Sequence, residues 1–383
     1  MRACVIGGGL AGTLLAWRLK AAAPEAEVCL YTGGPPPGPS PERAARPADA
    51  TAASGGLVRG FEPDPAAARL AAESLAELRA SPVLCDWADY REIGSVHVCA
   101  APPDPASVPP SAEVVAGPGL AALGIRGVPD GASAVVERHA GHIAPHRLRV
   151  LALRDFRRRG GETVTTPVER VGPGVGLDVG LDVGPGGGLD VGPGVGPGGA
   201  VVCVAGGVRR RFDLAVVAAG AWTPGLLARS GLAGPALWTK RIQYQIYEVS
   251  GRRPPAFVDE TTGLYGRPYG RSAMLLGVPS QARDVDPGAV PRCPRGRRDT
   301  EAAARERLPG LRLLRLARTV TACDAYAGTG LLGLAGLGPG LHTFTGGSGG
   351  AAKLALAASA RAARHLLAAS LPPLDAPRRT EPQ

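Results

Sequence analysis

Apolar positions along this chain follow two periods, and the switch between them marks the elements. A short apolar run, Ala3 to Ile6, meets Gly7-Gly8-Gly9-Leu10-Ala11-Gly12 and passes into an apolar-periodic segment, Thr13 to Lys20. This pattern predicts strand, glycine turn and helix. Pro24 stops the helix and Val28–Tyr31 reads as a second strand, completing a βαβ unit. A Pro-rich loop follows from Pro35 to Pro47. Helical spacing of Ala68, Leu70, Ala71, Leu75 and Leu78 predicts a helix over Pro65–Arg79. Ile93–Val98 reads as a strand, Pro145–Arg159 as a helix and Glu162–Val171 as a strand. Strands resume at Ala200–Ala205 and Leu214–Ala218. Gly263–Val278 reads as a hairpin, and Gly340–Leu367 as strand, glycine turn and Ala-rich helix.

Between these elements, residues 172–199 are of low complexity. Gly-Leu-Asp-Val-Gly recurs from Gly176, Gly180 and Gly188, padded with Pro and Gly. A repeat this short reads as a flexible hairpin extension rather than a solenoid. Asp178, Asp182 and Asp190 also suggest a calcium tract, but their spacing is irregular, and no metal site is expected. The tail from Pro372 is polar and reads as disordered.

Composition narrows the class. The 383 residues suffice for two domains or one interleaved one, and 45% hydrophobic content allows a sizeable core. The 43 basic residues comprise three lysines (Lys20, Lys240, Lys353) and 40 arginines, as a GC-rich genome would produce. A net charge of +10 raises nucleic acid as a partner. Yet the arginines are scattered or in short runs such as Arg157–Arg159 and Arg209–Arg211. At 4% the aromatics are few, so a solvated surface is expected and no nucleic-acid partner. Seven cysteines without a CxxC pair read as reduced thiols of a cytoplasmic protein. No run of 18 apolar residues calls for a membrane span. Arg2, the apolar stretch and Ala21-Ala22-Ala23 imitate a secretion signal, but the glycine turn explains them better.

Four segments carry candidate chemistry. Gly7, Gly9 and Gly12 form GxGxxG between a strand and a helix, the context in which backbone approaches a pyrophosphate at a helix N-terminus. The second strand ends in Tyr31-Thr32-Gly33, without the acid that usually meets a ribose, so Thr32 is the candidate there. Thr51 to Arg59 contains Ser54 and Gly55, small enough to lie against a planar cofactor. Val216-Val-Ala-Ala-Gly220-Ala-Trp222-Thr223 reads as a strand ending in a tight turn, with Gly220 and Trp222 at the cofactor. Thr345-Gly-Gly347-Ser348-Gly349-Gly350-Ala-Ala-Lys353 is a second glycine turn entering a helix.

Taken in order, these segments resemble the FAD-dependent D-amino-acid oxidase/glycine oxidase superfamily from Met1 to about Ala369, apart from the 172–199 insertion. Gly141-His-Ile-x-Pro145 resembles a further signature, and Ser348-Gly-Gly-Ala-Ala-Lys353 is similar to the sarcosine oxidase branch. The resemblance implies a Rossmann-like FAD-binding domain (1–60, 141–235, 320–370) interleaved with an antiparallel-sheet α+β substrate domain (61–140, 236–319), followed by the tail 371–383. It implies that Arg59 and Lys353 clamp the carboxylate of an amino or imino acid, which the donor geometry of the two side chains favours. It also implies an FAD thioether at Cys323. One departure stands out: Ser272–Val278 carries neither Lys nor His, which speaks against fast reaction with oxygen. Tyr244 and Tyr265 are expected in the pocket, and Lys240, Arg241, Gln243, Gln245, Tyr247, Arg267 and Tyr269 are further wall candidates. Lys20 reads as an ordinary helix-end charge, and His342 as either strand packing or a site residue. The expected activity is oxidation of an amine to an imine, in a tailoring role in secondary metabolism. A flavin dehydrogenase that passes electrons elsewhere than oxygen is the alternative, and a basic nucleic-acid-binding protein the alternative of another class.

Overall fold

A computed structural model describes residues 1–33, 49–173, 189–190, 200–204 and 207–370. The Pro-rich loop, most of the 172–199 repeat with Asp178 and Asp182, and the tail lie outside the described residues.

The βαβ expectation holds. Arg2–Ile6 and Glu27–Tyr31 are parallel neighbours joined by the helix Leu10–Ala22. They belong to a six-stranded sheet ordered 333–338, 341–345, 214–217, 2–6, 27–31, 162–164, parallel except at the 333–338 edge. A strand buried on both faces is apolar throughout, and Ala3, Cys4, Val5 and Val216 are fully buried. Helices 10–22, 65–80, 145–158 and 351–370 cover one face, where Leu14, Leu15, Leu75, Leu148 and Leu354 share one core. Asp64 starts the second of these helices by accepting Ala67 N–H at 2.8 Å, with Pro65 at the first helical position. Lys20 is not an ordinary surface charge. It is buried and donates to the carbonyls of Pro24 (2.6 Å) and Ala26 (2.9 Å).

The strand expected over 162–171 divides at Pro167. Glu162–Val164 joins the parallel sheet, and Val168–Pro173 pairs with Ala200–Val204 in a small separate sheet. Leu189–Asp190, from the Gly-rich repeat, pairs with Arg209–Arg210 there.

The largest sheet has eight strands and is mainly antiparallel: 311–327, 237–251, 273–277, 265–269, 256–259, 95–99, 133–137, 112–116. The hairpin expected over 263–278 is its centre. Leu237–Gly251 and Leu311–Ala327 form a long two-stranded ribbon that periodicity does not announce. The latter strand crosses the boundary expected at 320. The architecture is α/β, a Rossmann-like unit with an antiparallel-sheet unit.

Candidate active site

One cleft of about 2280 Å³ runs from the first glycine turn, past the loop 49–57 and the turn 218–222, to the wall formed by the long ribbon and the turn 346–353. Arg59, Tyr244, Tyr265, Lys353 and every candidate cofactor residue except Gly12 border it. Gly12 supports it from behind.

At one end the sequence needs glycine for steric reasons. Gly7 has φ +130°, and a Cβ there would lie 2.2 Å from Ala218 O. A Cβ on Gly12 would lie 2.1 Å from Gly7 O. A Cβ on Gly9 would meet only Thr51 Oγ1, at 3.5 Å, and Gly9 caps the helix without a side-chain hydrogen bond, so the first turn presents its backbone N–H groups to the cleft. One of these, Leu10 N–H, donates to Thr51 Oγ1 at 2.9 Å and hooks the loop 49–57 onto the turn. The loop is held further by Arg149, which donates to Asp49 at 2.7 Å. Ser54 Oγ accepts Gly56 N–H at 3.1 Å, and Arg267 Nε donates to Gly55 O at 2.6 Å. Arg267 is therefore a brace for the loop and not part of the cleft wall. Thr32 borders the cleft, with its hydroxyl donating to Val164 O at 3.3 Å. Gly220 (φ +53°) turns the chain so that the half-exposed Trp222 stands at the rim.

The second glycine turn is tied down. Ser348 (φ +42°) sits in a region L-residues seldom adopt, and its Oγ accepts Ala327 N–H at 3.0 Å while donating to Ala327 O at 3.2 Å. Gly349 N–H donates to Asp324 Oδ2 at 3.2 Å. Burial pushes the Asp324 carboxyl up to about 6, against the N–H groups of Ala325 and Gly349. Strand alternation thus sets Asp324 against the glycine turn. Cys323 also borders the cleft, but its Sγ is directed at Val285 O, 3.6 Å away. Of the neighbours Cys323 and Asp324, it is the carboxylate that is hydrogen-bonded to the glycine turn.

Arg59 and Lys353 do converge, and between them lies a residue that sequence reading missed. Glu62 Oε1 is 2.9 Å from Arg59 Nη2 and 2.7 Å from Lys353 Nζ. Burial raises the Glu62 carboxyl, but Arg59 and Lys353 outweigh it and hold it below its ordinary range. Burial lowers the Lys353 ammonium, aided by Arg59 and opposed by Glu62. Beside this triad, His97 Nε2 meets Glu260 Oε1 at 2.8 Å, and Phe61 packs edge-on against His97.

From the strand 265–269 beside the ribbon, Tyr265 Oη donates to Gln243 O at 3.4 Å. The buried Tyr244 makes no hydrogen bond through its phenol among the described residues. Burial raises its pKa, and Arg267 and Arg318 counteract. Arg318, exposed on the cleft, is a second residue the sequence did not single out. Arg241 and Gln243 also border the cleft. Lys240, Gln245, Tyr247, Tyr269 and His342 do not: Lys240 lies over the Tyr326 ring at 5.2 Å, and Tyr247 donates to Glu301 at 2.9 Å.

Residues 2–365 match the FAD dependent oxidoreductase family, DAO. The chain belongs to this family. No curated protein matches it by sequence. Among solved structures it is similar to L-proline dehydrogenase from P. horikoshii (TM-score 0.71, 14% identity, 96% of this chain and 93% of that one). It is also similar to iminodiacetate oxidase from Chelativorans sp. BNC1 (TM-score 0.67, 18% identity, 97% of each). A third is NikD, described as an unusual amino acid oxidase essential for nikkomycin biosynthesis (TM-score 0.68, 16% identity, 94% and 93%). These likenesses concern the fold.

As a DAO-family enzyme the protein is an FAD-dependent oxidoreductase. The residues present fit that cofactor. Gly7 and Gly12 pack the strand, turn and helix tightly against Ala218 and Gly7 backbone, Gly9 leaves the helix N-terminus open to the cleft where a pyrophosphate would approach, and the cleft is larger than an ordinary small-molecule pocket. Gly7, Gly9, Ser54, Gly55, Gly220 and the turn 347–350 would hold it. Among the described residues no helix is long and apolar enough to cross a membrane.

Proposed function

We propose that this enzyme oxidises a C–N bond of an amino or imino acid, with the substrate carboxylate directed to Arg59 and Lys353. The observation that carries the reading is the convergence of these two cations, distant in sequence, on the same cleft as the first glycine turn. FAD, when bound, would supply the hydride acceptor for the carbon next to nitrogen, the amine becoming an iminium and then an imine as its N–H proton leaves to solvent. The chain supplies position and environment: Tyr244 and Arg318 offer a hydrogen bond and a charge from the ribbon wall, and Ile242 and Val320 line it with apolar surface. A role in secondary metabolism is part of the proposal, and NikD is an enzyme of that kind on the same fold.

The reading is tested by mixing the oxidised enzyme anaerobically with a panel of amino and imino acids. Bleaching of the flavin by at least one is expected, and no bleaching by any would end it. A second reading, a dehydrogenase with an acceptor other than oxygen, is favoured by the strand Ala273–Gly277, which offers neither Lys nor His. Slow reoxidation of the reduced enzyme in air would support it; fast reoxidation would dismiss it.

A further inference from the structure

Glu62 stands where a substrate carboxylate would be received. A single oxygen, Oε1, meets both Arg59 Nη2 (2.9 Å) and Lys353 Nζ (2.7 Å). Arg59 is not free to turn elsewhere. Its Nε donates to Phe61 O at 3.0 Å, and the neighbouring Gly60 and Phe61 N–H groups donate to the Glu137 carboxylate at 2.8 and 2.9 Å. The three side chains are nearly sealed, at 7%, 13% and 12% exposure for Arg59, Glu62 and Lys353, yet the two cations still border the cleft. Two buried cations without an anion would repel each other and lose hydration uncompensated. Glu62 removes that cost. It also changes what binding means here, because an incoming carboxylate replaces an existing one instead of filling an empty cationic hole.

We propose that Glu62 is a specificity-determining residue, an internal carboxylate that competes with ligand carboxylates for the Arg59–Lys353 pair and so sets their affinity. The proposal rests on the functional reading above, in which this pair receives the substrate carboxylate. Substrates whose affinity relies on that group alone are disfavoured, and those with further anchoring in the cleft are retained.

The test is calorimetric titration of the FAD-loaded enzyme with acetate and propionate. Glu62→Gln is expected to bind them about tenfold or more tightly than the unaltered protein, and Lys353→Met in that background is expected to abolish the gain. A gain in affinity is not what a merely structural lesion produces. If Glu62→Gln brings no gain while Lys353→Met weakens binding, the competitor role is overturned and the clamp stands. If neither change alters binding, the pair is no carboxylate site, and the clamp fails together with the role built on it. Should Glu62→Gln lose flavin or melt early, Glu62→Asp keeps the charge but draws it back by one methylene. A smaller gain in that variant is expected, and none in a folded Glu62→Asp protein would overturn the proposal.

Discussion

At the end of the cleft formed by residues 7–12, the recognition groups are backbone amides placed by close packing. At the end formed by Arg59, Glu62 and Lys353 they are charged side chains from both ends of the chain. The first end is neutral and steric: a strand, three glycines and a helix suffice, and all lie within one short segment. The second is electrostatic, and its character depends on which charges meet. Arg59 and Lys353 alone would be a strong anion site; with Glu62 between them the site is partly satisfied before any ligand arrives. Local sequence can therefore build the glycine turn, while the charge cluster proposed to meet the substrate forms only on folding.

The comparison can be broken most severely at the steric end. Gly7→Ala places a Cβ 2.2 Å from Ala218 O at a φ of +130°. Accommodating it costs about 3 kcal/mol; set against the cofactor-bound form, this is on the order of a hundredfold in cofactor affinity. Measured flavin content should fall toward zero; a fully yellow variant would show that the packing is dispensable. At the electrostatic end the effect is smaller and falls on the substrate. Lys353→Met should raise KM for a carboxylate substrate by roughly ten- to a hundredfold, the worth of one charge-assisted hydrogen bond, with flavin retained. An unchanged KM would remove Lys353 from the clamp.

Asp324 lies where the two kinds of construction meet. Its carboxyl is raised in the folded protein to about 6, so its favourable contribution is present below the ordinary carboxylate value and is lost as pH rises through about 6. Asp324→Asn should remove that loss, raising the melting temperature above that pH by roughly 3–6 °C relative to the unaltered protein. Parallel pH profiles of the two proteins would show that the group is not strained. The smallest effect is expected at Cys323, whose sulfur is directed at Val285 O. Acid precipitation should release the flavin from the unaltered protein and from Cys323→Ser alike. A yellow pellet from the former alone would instead establish the thioether.

What the sequence determined by itself was whatever is local. The βαβ unit, the helices 65–80 and 145–158 and the final turn and helix follow from periodicity, proline and glycine, because the interactions that form them lie within a few residues. The resemblance of ordered motifs supplied the family, and convergence of Arg59 and Lys353 on one cleft accords with it. The sequence missed the long ribbon 237–251/311–327, whose strands are stabilised by each other and by neighbouring layers rather than by a pattern of their own. It also left open the face on which Cys323 lies. Nothing local foretold that the hydroxyls of Ser348 and Tyr265 would donate to the Ala327 and Gln243 carbonyls. Glu62, three residues from Arg59, carries no signal of its own in the sequence, and the last helix brings Lys353 against it. Only the tertiary structure decided that, because the strength and even the sign of a buried charge's effect depend on the charges packed around it.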